Sequence, residues 1–271
     1  MEQARRFAVH GSETHVEAWS AVRLPFEPKG WLSEYRRDLR TALRSMRASQ
    51  AGVLYAEYAT PDQSLADLEN VLLYNLGSGC FSHLARQGLS CRRIASRDDL
   101  HHVRYTSIEP EDAPRPGGQL LASVRLIDLP PGSTPAHWWS AFRQQLKVHG
   151  EIGTPHRGEF GITAELGSSW SGRGIAPSVK TLLDGLISAL HVHDLSSREH
   201  LMAALDEIGD GERLWDLLND PAMAFLGPRR LVRPHGRSIA WNPADERCGF
   251  FQFTRSAQAD AVTVRIHALS R

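Results

Sequence analysis

Leu54-Tyr55-Ala56-Glu57-Tyr58, followed by Asp67-Leu68-Glu69-Asn70-Val71-Leu72-Leu73, has a counterpart further along the chain. That counterpart is Ile162-Thr163-Ala164-Glu165-Leu166, followed by Val179-Lys180-Thr181-Leu182-Leu183-Asp184. Each pair reads as an alternating strand and then a segment with apolar residues at helical spacing. Working outward, Ser20-Ala21-Val22-Arg23-Leu24 precedes the first pair and Ala122-Ser123-Val124-Arg125-Leu126 the second, with a Trp-led amphipathic stretch between (Trp31 in one, Trp138 and Trp139 in the other). Strand, helix, strand, helix thus occur twice in one order. The expectation is an α/β (α+β) fold of internally duplicated units, packed as one pseudo-twofold body with mixed or antiparallel sheets.

The elements and units follow from this frame. Val16 to Phe26 reads as the first strand, ended by Pro25 and Pro28, and Trp31, Tyr35, Leu39, Leu43 and Met46 recur at helical spacing. Val53 to Tyr58 and Val103 to Ile108 read as strands, and a helix runs from near Asp67 through Tyr74. The Pro- and Gly-rich stretch 110–118 reads as a linker between a first unit, 1–109, and a second, 119–271. The second unit contains a strand at Phe160 to Leu166, a helix from Val179 to His191 and a helical insertion at about 195–220. It closes with strands at Gly249 to Arg255 and Val262 to Leu269, joined by a turn at Ala257 to Asp260.

Composition narrows the function classes. The 271 residues carry 31 basic and 31 acidic side chains and no net charge, so a nucleic-acid surface has to be local rather than global. Three cysteines without a C-x-x-C pair fit a reducing setting, and no apolar run reaches membrane-spanning length. The expected location is the cytoplasm, with no membrane partner.

The acidic constellation is Asp67-x-Glu69-Asn70, beyond Glu57 at a strand end. Carboxylates at a strand end and the following helix start supply the oxygen ligands that Mg²⁺ prefers. The same residues are what helix capping requires: Asp67 as N-cap and Glu69 in the positive first turn. Both readings stand at this stage.

This pattern resembles the D-x-D-N-x-x-K-x-x-x-D motif of small Holliday-junction resolvases of the RusA type, which follows a strand–helix–strand lead-in. Asp67, Glu69 and Asn70 match its start, with Leu73 where the Lys belongs; Lys180 and Asp184 match its end, with Gly174, Ala176 and Pro177 in place of the acidic start. The resemblance implies metal ligation by Asp67 and Glu69, catalytic support from Lys180 and Asp184, and Mg²⁺ as cofactor. A further downstream acid has candidates in Asp98, Asp99 and Asp245. The split motif implies either one composite site shared by the two units or a scaffold in which both sites have decayed.

The remaining chemistry-bearing residues are less pointed. Arg229, Arg230, Arg233 and Arg237 form the densest basic run and could clamp phosphates or simply solvate a loop. His191-x-His193 lacks a third ligand and reads as a polar helix end. Trp170 and Trp241, in loop-like settings, are candidates for ligand contact. No nucleophile elbow or P-loop is present. Two functions follow: a metal-dependent, nuclease-like protein acting on nucleic acid, or a non-catalytic binding or scaffold subunit with a protein partner.

Overall fold

The computed structural model describes residues 6–49, 52–61, 66–127, 134–149, 155–170, 174–236, 238–256 and 261–269. The first half comprises β1 (Phe7–Gly11), β2 (His15–Ser20), α1 (Trp31–Ser45), β3 (Val53–Thr60), β4 (Gly88–Ala95) and β5 (His101–Ile108). In the second half come β6 (Leu120–Ile127), α2 (Pro135–Gln145), β7 (Lys147–Val148), β8 (Phe160–Leu166), α3 (Val179–Ser188), β9 (Val192–His193), α4 (Arg198–Asp206) and α5 (Gly211–Asn219). The short strands β10 (Pro228–Arg229), β11 (Val232–His235) and β12 (Ser238–Trp241) lead to β13 (Cys248–Arg255) and β14 (Ala261–Ala268).

Among the described residues, ten strands form one sheet in the order β1-β2-β5-β3-β4-β13-β8-β14-β6-β7. Outward from the middle, one side reads β4, β3, β5, β2 and the other β13, β8, β14, β6. On each side the first pair is parallel and the next two antiparallel. The two halves meet along β4 and β13, which are antiparallel, with Phe251 opposite Cys91. The mixed α/β architecture is therefore as expected, and the stretch 110–118 carries the chain from β5 in one half to β6 in the other within a continuous sheet.

Strand alternation sets the core. Leu54, Ala56 and Tyr58 of β3, Ile162 and Ala164 of β8, and Val262, Val264 and Ile266 of β14 point to one buried face, packed under the helices. The opposite strand positions carry charge, with Arg104 of β5 flanked by Glu17 and Glu57 at 3.2 and 3.5 Å. Gly185 of α3 lies against α2 so closely that an added Cβ would meet the Cβ of Trp138 and stand 2.8 Å from the Pro135 carbonyl oxygen. The α2–α3 contact thus depends on a residue without a side chain.

Several expectations are corrected. The first strand ends at Ser20, where the Ser20 hydroxyl accepts from the Val22 amide at 3.2 Å and bends the chain; Val22-Arg23-Leu24 therefore lies outside it, whereas Val124-Arg125-Leu126 lies inside β6. Strands β1 and β4 were not foreseen. Gly88 to Cys91 is a run of four buried residues flanked by β3 and β13, so it shows no alternation to read. Trp170 is buried with its ring tilted against Trp138, and Trp241 packs on Trp139, so neither is a bare loop ring. His191 and His193 are buried, and their rings bond main-chain carbonyls of Gly227 and Ser196. The expected turn at 257–260 lies outside the described residues.

Candidate metal centre

The chain enters the candidate site just after β3. Asp67 precedes a short helical segment that widens over Asn70–Tyr74, where the Asn75 amide reaches back five residues to the Asn70 carbonyl at 2.9 Å. Wide turns of this kind insert one extra residue into a helical turn and recur at functional positions. Buried Leu68, Leu72 and Leu73 fix the turn against the sheet, and the Tyr105 hydroxyl donates to the Leu72 carbonyl at 2.8 Å. Asn70 then donates through Nδ2 to Asp67 Oδ2 at 2.6 Å, orienting that carboxylate.

The second half supplies the facing side chains. Lys180 and Asp184 are one helical turn apart on α3, on the face left polar by buried Val179, Leu182, Leu183, Leu186 and Ile187. Lys180 Nζ lies 3.2 Å from Glu69 Oε1 and 3.3 Å from Asp184 Oδ1, and its bond to Glu69 joins residues 111 positions apart in sequence. Asp245 arrives from the single turn Asp245–Arg247 that feeds β13. One carboxylate oxygen each from Asp67, Glu69 and Asp245 lie within 4.8 Å of one another. The sequence-derived set Asp67, Glu69, Lys180 and Asp184 is therefore one cluster above the β4–β13 junction, with Asp245 as a fifth member.

Charge in the cluster is unbalanced: four carboxyl groups face one ammonium. Burial raises the Glu69 and Asp184 carboxyls above their ordinary range despite the pull of Lys180, and nearby Asp67 adds to the rise at both. Burial also raises Asp245, and repulsion from Asp67 and Glu69 helps to push it up to about 8. Burial alone would lower Lys180, but Asp184, Glu69 and Asp245 together outweigh it and raise the ammonium's pKa. The ends of the ion pairs respond unequally because Lys180 answers to three carboxylates, while each carboxylate has a single cation.

Arg93, absent from the sequence-derived set, ties the two acidic segments together. From β4 its guanidinium donates to the carbonyls of Ala66 (2.7 Å) and Glu246 (2.8 Å), the residues adjoining Asp67 and Asp245, and pairs with Glu159 at 2.9 Å. An arginine in the unforeseen β4 carries no local signal for this role. Of the basic run, Arg229 pairs with Glu246 at 3.2 Å and so stands next to the Asp245 turn. Arg230 reaches Ser197 Oγ at 3.4 Å, Arg233 is exposed on β11, and Arg237 lies outside the described residues. Asp98 instead bonds His102 at 3.0 Å near the β4–β5 turn.

An oxygen-rich set with spacings up to 4.8 Å suits a hard divalent cation, whose ligand bonds run about 2.0–2.6 Å and need only small side-chain adjustments here. No family model, curated protein or solved structure matches the chain. Among the described residues, no helix is long and apolar enough to cross a membrane.

Proposed function

We propose that the chain is a Mg²⁺- or Mn²⁺-dependent, nuclease-like protein that cleaves phosphodiester bonds in nucleic acid, similar in its chemistry to RusA-type resolvases and arisen by duplication of one unit. The observation that carries this reading is the meeting of Asp67 and Glu69 from one half with Lys180, Asp184 and Asp245 from the other. Asp67, Glu69 and Asp245 would hold the cation, which when bound supplies an activated water and charge neutralisation at the phosphate. Lys180 keeps Glu69 and Asp184 in place, and Asn70 fixes the rotamer of Asp67. Arg229, paired with Glu246 beside the Asp245 turn, would meet a backbone phosphate there, and exposed Arg233 would add a further phosphate contact.

The competing reading is a non-catalytic scaffold subunit, favoured by the ion pairs that already satisfy Lys180. Isothermal titration with Mg²⁺ and Mn²⁺, alongside cleavage assays on branched, double- and single-stranded substrates, separates the two. Binding and cleavage that both disappear in Asp67→Asn support the nuclease. Absence of both in the native chain, with a stable protein complex on co-purification, overturns it.

A further inference from the structure

Only four large apolar side chains among the described residues are strongly exposed: Val22, Phe26, Tyr74 and Leu195. Two of them touch. The rings of Phe26 and Tyr74, 55% and 49% exposed, stack with centroids 5.2 Å apart and planes 13° from parallel. Val22 belongs to the same connection between β2 and α1. Tyr74 closes the wide turn that begins at Asn70, and the Lys180 ammonium lies 5.9 Å from its ring centroid. The pair therefore sits on the rim of the acidic centre. A cleft of about 430 Å³ joins them, lined by Arg23, Phe26, Asp67, Asn70, Tyr74 and Lys180.

The backbone under both rings is held in place. Asn75, which ends the wide turn, donates through Nδ2 to the Leu24 carbonyl at 2.9 Å, and Arg36 of α1 donates to the Phe26 carbonyl at 3.0 Å. One residue thus couples the Phe26 connection to the turn that positions Asp67. Leaving two aromatic rings half in water forgoes part of the stabilisation that burying such side chains provides. Here the exposed pair is fixed, Arg23 lines its cleft, Arg36 holds the Phe26 carbonyl, and the cleft opens onto Asp67 and Lys180.

We propose that Phe26 and Tyr74 form a stacking platform for an unpaired nucleobase, so that a single strand, or the open point of a branched one, is laid across the acidic centre. The proposal rests on the nucleic-acid reading above and deepens it by naming the substrate feature recognised. A flat π-face is what every base offers, whereas in continuous duplex those faces are already stacked. Arg23 and Arg36 supply the positive charge that a flanking phosphate requires, which an apolar peptide would leave unused.

The test is fluorescence anisotropy of the full chain with a labelled single-stranded DNA oligonucleotide, in EDTA so that cleavage is off. Probes are the normal oligonucleotide and one of equal length made abasic throughout. The variant F26L/Y74L keeps apolar bulk and loses the π-faces; F26W/Y74W restores them, and circular dichroism confirms folding. From about 1–3 kcal/mol per stacked base, F26L/Y74L is expected to weaken binding roughly 5- to 150-fold, with the tryptophan variant near native. The abasic probe is expected to bind native chain and F26L/Y74L alike. Equal affinity of native chain and F26L/Y74L for the normal probe overturns the platform, as does failure of the native chain to bind it. Self-association lost in F26L/Y74L without any DNA binding overturns it in favour of a dimer contact. Metal-dependent cleavage untouched by F26L/Y74L would keep the acidic centre and remove the platform. Base-dependent binding without metal binding would do the reverse.

Discussion

Replacing Lys180 with methionine tests whether the cluster is an electrostatic device or ordinary packing. The native cluster sets one ammonium against Asp67, Glu69, Asp184 and Asp245; the variant K180M keeps the stem and removes what is, among the described residues, the only cation that bonds Glu69 and Asp184 directly. Breaking a buried ion pair costs about 3–5 kcal/mol. The Lys180 side chain is 35% exposed, so water screens part of that, and about 2 kcal/mol is the working figure. At roughly 2–4 °C per kcal/mol for a chain of this size, Tm should fall by about 4–8 °C. The loss should depend on pH. Glu69, Asp184 and Asp245 are raised in the folded state, so folding binds protons and stability declines as pH climbs from the ordinary carboxyl range towards the folded values, about 8 for Asp245. Without Lys180 those folded values move higher still. The penalty is then smaller near pH 5, where Asp245 holds its proton, and complete near about pH 9. Thermal unfolding of native chain, K180M and Lys180→Arg at both pH values, with and without Mn²⁺, reads all of this. Saturating Mn²⁺ should recover much of the deficit in K180M, and Lys180→Arg should stay closer to native. An equal loss at both pH values would mean packing rather than charge, and no loss near about pH 9 would refute the reasoning.

Other expectations bear on the same centre and its supports. Asp245→Asn should raise Tm at alkaline pH by removing a repelled carboxylate, yet weaken Mn²⁺ binding at least about tenfold in calorimetry; a fall in both would contradict the charge argument. Because Asp245 must lose its proton to ligate, Mn²⁺ affinity should rise up to about tenfold per pH unit below pH 8 and level off above, and a flat profile from pH 6 to 9 would exclude it as a ligand. Arg93→Met frees the carbonyls of Ala66 and Glu246, so metal affinity should drop about 10- to 100-fold, as for other groups that hold ligand segments in place; a change in Tm alone would limit Arg93 to stability. Gly185→Ala should destabilise by about 1–3 kcal/mol in urea titration, since its methyl would press on Trp138 and the Pro135 carbonyl; a neutral result would mean α2 and α3 separate easily.

Where side-chain pattern and burial coincide, the sequence was legible. β3, β8 and β14 each have one buried and one solvated face, and their alternation located them. α1 was equally plain, since Tyr35, Leu39 and Leu43 recur at helical spacing against a polar remainder. β4 escaped because a strand at the sheet centre buries Gly88 through Cys91 in succession and erases the period. The wide turn escaped too, since Asn70 to Tyr74 reads as an ordinary helical turn until its hydrogen bonds are seen. The site was half readable. Asp67 with Glu69 and Lys180 with Asp184 each had local spacing to recommend them, whereas Asp245 and Arg93 join only through long-range strand pairing.

The Glu69–Lys180 bridge spans 111 residues, and Asp245 lies further along still. During synthesis from the amino end, the carboxylates of the first half therefore emerge long before their counter-charge. The centre comes into being only when β13 docks on β4, a long-range pairing of the kind that closes late because of its loop-closure entropy. A nascent or half-folded chain lacks the assembled cluster, whose presence is in effect a certificate that the whole sheet has closed.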